Sequence, residues 1–196
     1  MKRQIVVIHG GDSFKTRSAY LSFLKNFRID FKRYLSGGRA WKNSLGKVLG
    51  KNFEVILPMM PNGMDAKFIE WKIWFEKFIP HLRPGVVLIG HSLGGLFLAK
   101  YLSECRFPKK IRATLLVAAP LKDGDFTEPK SLKKLIAQGG ELFLYHSKDD
   151  HVVPFADFEK YRDHLKTATT RIFSNRGHFN QPTLPELVKD IKNLFS

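Results

Sequence analysis

The sequence predicts an α/β protein: a mostly parallel sheet of about six strands with helices on both faces. Three observations predict it. Short β-branched runs alternate with longer stretches of helical period, the pattern of a parallel sheet with crossover connections. Several of those runs are apolar on both faces, as central parallel strands are. A glycine-flanked serine stands mid-chain between one such run and a helix-like segment.

The strands read as Gln4 to Ile8, Phe53 to Leu57, Val86 to Ile89, Ala113 to Val117, Leu142 to His146 and Thr170 to Phe173. Between them, Met64 to Ile79 carries Phe68, Ile69, Trp71, Phe75 and Phe78 near helical spacing, and the segment after Ser92 carries Leu96, Phe97, Ala99, Tyr101 and Leu102. Further helices are expected from about Phe155 to Leu165 and, after Pro182, from Leu184 to Phe195. Asp12 to Gly50 is long for one crossover and is expected to hold two helical pieces joined near Gly37-Gly38. Pro120 to Gly140 is polar, broken by Pro129 and Gly139-Gly140, and reads as a modest flap over the mouth of an open, shallow pocket. Neither stretch is long enough for a large lid.

A chain of 196 residues, 43% hydrophobic, buries one sizeable core and reads as a single domain over residues 1–196. Its apolar runs fall far short of the roughly 20 residues that cross a bilayer. The basic start Met1-Lys2-Arg3 leads through a short apolar run into His9-Gly10-Gly11, which reads as a first strand and not as a signal segment. Cys105 is the only cysteine, so no internal disulfide forms, and the expected address is cytoplasmic. The 33 Lys and Arg against 18 Asp and Glu give +15, which raises the question of anionic partners. The cations are spread along the chain without a zinc-finger, KH or RNP pattern, so no specific nucleic-acid role is expected.

The chemistry is concentrated at Gly90-His91-Ser92-Leu93-Gly94. A sharp strand-to-helix turn strains the serine backbone and crowds the residues two before and two after it, so Gly90 and Gly94 remove side chains that would clash. Ser92 is the expected nucleophile. Its partners must follow in the order acid, then histidine, each at a strand end. Asp149-Asp150 follows the strand ending at His146, and Gly177-His178 follows the strand ending at Phe173. His178 is the expected base. Its rivals are weaker, because His146 precedes the acid, His151 is tethered beside it and His164 lies inside a helix. Only one of the two aspartates can bond the histidine. Asp150 is favoured, with Asp149 as the alternative and geometry as the arbiter. Acyl transfer also needs N–H donors for the developing oxyanion. Leu93, after the nucleophile, supplies one; Gly11 in His9-Gly10-Gly11 is expected to supply the second, with Gly10 next.

With these residues in hand, nearly the whole chain resembles the small α/β-hydrolases related to retinoblastoma-binding protein 9, compact serine hydrolases without a large cap. The resemblance rests on His9-Gly10-Gly11, Pro61-Asn62, Trp71, Gly90-His91-Ser92, Asp149-Asp150-His151-Val152-Val153-Pro154 and Gly177-His178-Phe179. In the wider fold the acid commonly stands four residues before such a proline, which carries the role to Asp150. This chain departs at His151, where proline is common, and in the longer, more basic Asp12 to Gly50 stretch. The resemblance implies hydrolysis of small esters, thioesters or amides through an acyl-enzyme on Ser92, with no metal and no cofactor. The alternative is a non-catalytic binding protein on a hydrolase fold, using its basic surface for anionic partners. The acyl group, the leaving group and the oligomeric state are not written in the sequence.

Overall fold

The structure is a computed structural model that describes residues 1–29, 31 and 40–196. Six strands form one parallel sheet: β1 (Arg3–Ile8), β2 (Phe53–Ile56), β3 (Val86–His91), β4 (Ile111–Val117), β5 (Glu141–Ser147) and β6 (Thr169–Phe173). They lie in the order β2-β1-β3-β4-β5-β6, every neighbouring pair parallel. Parallel neighbours need crossovers, and the described helices supply them: α1 (Arg17–Asn26), α2 (Trp41–Leu49), α3 (Phe68–Phe78), α4 (Leu93–Glu104), α5 (Lys133–Gln138) and α6 (Phe155–His164), with α7 (Pro185–Asn193) following the last strand. All six expected strands are present within two residues at either end. The Asp12 to Gly50 stretch contains the two expected helical pieces, α1 and α2, while the Gly37-Gly38 junction lies outside the described residues.

The strands bury both faces because helices cover both. Side chains alternate, so Ile5, Val7, Val87, Ile89, Leu115, Val117, Phe143 and Tyr145 face one cluster and Val6, Ile8, Leu88, Leu116 and Leu144 the other. On the first face α2 contributes Trp41, Leu45 and Leu49, and α7 contributes Leu187 and Ile191. On the second, α3 brings Trp71 and Phe75, α4 Leu96, Phe97 and Tyr101, and α6 Phe158 and Tyr161. Helix α4 is apolar all round because it runs through this layer: Leu93 to Leu102 is buried without a break. At the far edge, Asp190 of α7 accepts two bonds from Arg171 of β6 at 2.9 and 2.8 Å and one from the Tyr145 hydroxyl of β5 at 2.5 Å. This buried carboxylate pins the last helix across the two strands that carry the later site residues.

The middle of the 120–140 stretch is anchored. Phe126 is buried against Trp71 and Phe68, the Asp125 N–H donates to Ser13 Oγ at 3.0 Å, and the Asp125 carboxylate accepts from the Phe68 N–H at 2.8 Å. An aromatic side chain with this much apolar area, placed in that sequence, is drawn into the core and takes its loop with it.

Candidate active site

The carboxyl ends of β1, β3, β5 and β6 share one edge of the sheet, and the sequence-predicted residues meet there. Ser92 joins β3 to α4 with φ 55 and ψ −126, a left-handed conformation rare for a residue with a Cβ. The strain is held on all sides. The Ser92 N–H donates to the Val117 carbonyl at 2.8 Å, and its own carbonyl accepts from the Gly95 N–H at 2.8 Å. A Cβ on Gly90 would lie 2.3 Å from the Gly94 carbonyl oxygen, and one on Gly94 would lie 2.3 Å from that of Ile8. Glycine at both positions is a packing requirement of the turn.

Ser92 Oγ lies 2.9 Å from His178 Nε2, and His178 Nδ1 lies 2.9 Å from Asp150 Oδ2. An ionised carboxylate only accepts, so Nδ1 carries the proton and Nε2 is left free to receive one from the serine. The Asp150 side chain is fully buried and His178 is 9% exposed. Burial pushes the Asp150 carboxyl up, but the bond from His178 and the N–H groups of Val153 and Val152 outweigh it and hold the group below the usual carboxylate range.

Asp149 has a different place. Its Oδ1 accepts from the Ser147 hydroxyl and from the Gly177 N–H, the latter at 3.0 Å, while Ser147 Oγ accepts from the Arg176 N–H at 3.0 Å. These bonds tie the end of β5 to the loop presenting His178. His146 shapes the neighbouring loop by donating to the Val153 carbonyl at 3.1 Å, while His151 and His164 are exposed.

Near Ser92, a Cβ on Gly10 would stand 3.4 Å from its Oγ, and one on Gly11 would meet the Gly63 carbonyl oxygen at 2.5 Å. His9 Nε2 accepts from the Met60 N–H at 2.9 Å, so Nδ1 is the donor to the Gly10 carbonyl at 2.6 Å. No peptide bond is cis. In a trans peptide the C=O and N–H point in opposite directions, so fixing the Gly10 carbonyl on His9 turns the Gly11 N–H away from that ring. Leu93 opens α4, where its N–H lies beyond the reach of intrahelical acceptors and at the positive end of the helix.

Sequence reasoning assigned no role to His91, which is 3% exposed on the far side of the turn. Its Nε2 donates to the His178 carbonyl at 2.9 Å, and its Nδ1 accepts from Lys42 Nζ at 2.8 Å. Trp41 Nε1 donates to the Phe179 carbonyl at 3.0 Å. Residues of β3 and α2 thus hold the histidine loop by its backbone. No local signal announces contacts 49, 87 and 138 positions apart in the chain. Among the described residues, no group of His, Cys, Asp and Glu is arranged to hold a metal ion.

The family model for serine hydrolases matches residues 35–183. The chain belongs to the serine hydrolase family. Among relatives of this serine hydrolase, the serine hydrolase RBBP9 of Rattus norvegicus is 24% identical over 153 residues, covering 74% of this chain and 79% of the relative. The YdeN protein of Bacillus subtilis (strain 168) is 22% identical over 187 residues, covering 91% and 87%. The solved structure of the ydeN gene product from B. subtilis superposes with TM-score 0.71 at 21% identity, covering 99% of both chains. A naproxen esterase from Bacillus subtilis gives 0.63 at 10% identity, covering 100% of this chain and 84% of that one. These likenesses establish the α/β-hydrolase fold. Among the described residues, no helix is long and apolar enough to cross a membrane.

Proposed function

We propose that this hydrolase cleaves small esters, thioesters or amides by a Ser92–His178–Asp150 triad, residues 1–196 acting as one catalytic domain. The observation that carries this reading is the unbroken line from Ser92 Oγ through His178 to Asp150, with both links at 2.9 Å. His178 takes the serine proton as Oγ attacks the acyl carbonyl, then delivers it to the leaving group; water releases the acid by the same route. Asp150 holds the tautomer and stabilises the imidazolium. Asp149, bonded to Ser147 and Gly177, positions the loop instead. The oxyanion falls to the N–H groups of Leu93 and Gly11, the first aided by the α4 terminus and the second aimed by the bond from His9 to the Gly10 carbonyl. A single cysteine, Cys105, accords with a cytoplasmic setting.

A fluorophosphonate probe tests this directly. Labelling should fall on Ser92 and vanish in Ser92→Ala, and a series of p-nitrophenyl esters of graded chain length should report the acyl preference. A folded wild-type protein that neither labels nor turns over any ester would overturn the reading.

A further inference from the structure

The segment that follows Gly11 presents a surface the site does not use. Helix α1 has no buried residue, and Leu21, Leu24, Phe27, Ile29 and Phe31 are 42%, 39%, 48%, 65% and 66% exposed. The helix is fastened through Tyr20 and Phe23, half-buried against Phe14 at ring distances of 5.6 and 5.0 Å. Leu21 and Leu24 share a face with Arg17, at spacings of four and three, and that face is left to solvent. Cations interleave with the apolar side chains. Lys15, Arg17, Lys25 and Arg28 have no acidic partner among the described residues. Apolar residues scattered singly over a surface are ordinary; a run of them threaded with cations that have no carboxylate partner is not.

We propose that the segment around α1 docks the enzyme on an anionic lipid surface. The leucines, phenylalanines and isoleucine enter the boundary between headgroups and acyl chains, and the lysines and arginines meet the phosphates. Nucleic acid would satisfy the charges but leaves Leu21, Leu24 and Ile29 without a partner, because aliphatic chains do not stack on bases as aromatic rings do. A second copy of the chain would bring cation against cation. The placement also suits the chemistry. The loop carrying Gly10 and Gly11 runs directly into α1, and Met64, 49% exposed, lines a cavity with Arg17 and Tyr20 at the foot of the helix. Docking there sets the rim of the Ser92 site against the lipid, so the substrates it favours are amphiphilic acyl esters presented by that surface. This extension to substrate rests on the proposed hydrolysis at Ser92; the docking itself does not.

Co-sedimentation of the full chain with vesicles of phosphatidylcholine, alone or mixed with phosphatidylglycerol, tests the proposal. Binding should require the anionic lipid and weaken as salt rises. Lys25→Gln and Arg28→Gln should each weaken it about fivefold. Leu21→Ser with Leu24→Ser, which leaves the charge unchanged, should weaken it about tenfold or more. All of these positions are exposed, so the variants should keep the wild-type Tm and the wild-type turnover of p-nitrophenyl acetate. Ser92→Ala should bind vesicles as the wild type does, which separates failure of docking from failure of the triad. No partition onto anionic vesicles at low salt overturns the proposal, as does binding indifferent to the serine variants. Single-stranded DNA bound as tightly as vesicles, whatever stands at 21 and 24, overturns it in favour of a general polyanion. Self-association relieved by the serine variants overturns it in favour of a second copy.

Discussion

The buried imidazole of His91 donates from Nε2 to the backbone carbonyl of His178, 2.9 Å away. Lys42 Nζ lies 2.8 Å from the other ring nitrogen and can only donate, so Nδ1 accepts and the ring is neutral with its proton on Nε2. One side of the turn between β3 and α4 thus presents Ser92 to His178, while the other side holds the His178 backbone in place. His91→Ala removes that hold without touching the reacting atoms. Turnover should fall by about ten- to a hundredfold through kcat, with KM changed far less, because displacing the base degrades the attack geometry and not substrate binding. His91→Gln, which retains a donor, should restore part of the loss. Steady-state kinetics on a p-nitrophenyl ester give both numbers, and an unchanged kcat in His91→Ala would remove His91 from the positioning scheme.

The two adjacent aspartates should separate kinetically. Asp150→Asn exchanges a pure acceptor for an amide and loses control of the His178 tautomer, so kcat should fall by about 10³ to 10⁴. Asp149→Asn leaves that bond intact and loosens the link from Ser147 to Gly177, so the loss of kcat should be far smaller and accompanied by a lower Tm. Equal losses from the two variants would contradict the assignment of Asp150.

Stability should fall as the solution is acidified through the histidine range. Burial pulls His91 well below the usual imidazole range, with Lys42 and His178 adding to the effect, and burial lowers His146 as well. Both rings are therefore neutral in the folded state at pH values where an unfolded histidine, with a pKa of about 6.5, already takes up a proton. More protons are bound by the unfolded chain in that window, so the free energy of unfolding is level above about pH 7 and declines as pH drops below about 6.5. The lowered carboxyl of Asp150 adds a second loss beneath the ordinary carboxylate range. The Asp123 carboxyl, pushed up to about 6 by burial, works in the opposite direction over the same range, so urea unfolding between pH 8 and pH 5 is read in Asp123→Asn, where equal stability at both ends would refute the inference that these rings are buried neutral.

The anchor at Asp190 predicts a stability effect away from the chemistry. Asp190→Ala leaves the Tyr145 hydroxyl without its acceptor and Arg171, itself 40% exposed, without its bidentate partner. Truncating one member of a buried pair is strongly destabilising, and the exposure of the arginine reduces the penalty to about 2 kcal/mol. For a chain of this size the Tm should drop by about 4–8 °C. A loss of activity without any loss of Tm would show that Asp190 acts otherwise.

The fold and the strained turn at Ser92 were legible in the sequence because their signals are local. The short, continuous apolar runs of β1 and β3 to β5, the helical spacing after Ser92, and Gly90 and Gly94 around the turn reflect sterics and burial within a few residues of each other. Candidate partners were legible too, since Asp149-Asp150 and Gly177-His178 each follow a strand and parallel strands bring their carboxyl ends to one edge. Between the neighbouring aspartates the sequence favours Asp150 only through its resemblance to the wider fold, where the acid stands four residues before a proline such as Pro154. Tertiary structure decided that Asp150 faces His178 while Asp149 faces Ser147 and Gly177, because that choice depends on the direction each side chain takes from one loop. It also decided that His91, His9 and Trp41 hold backbone carbonyls on which the site depends. Such bonds are made to peptide groups that every residue carries, so no residue type at the receiving end marks them in the sequence.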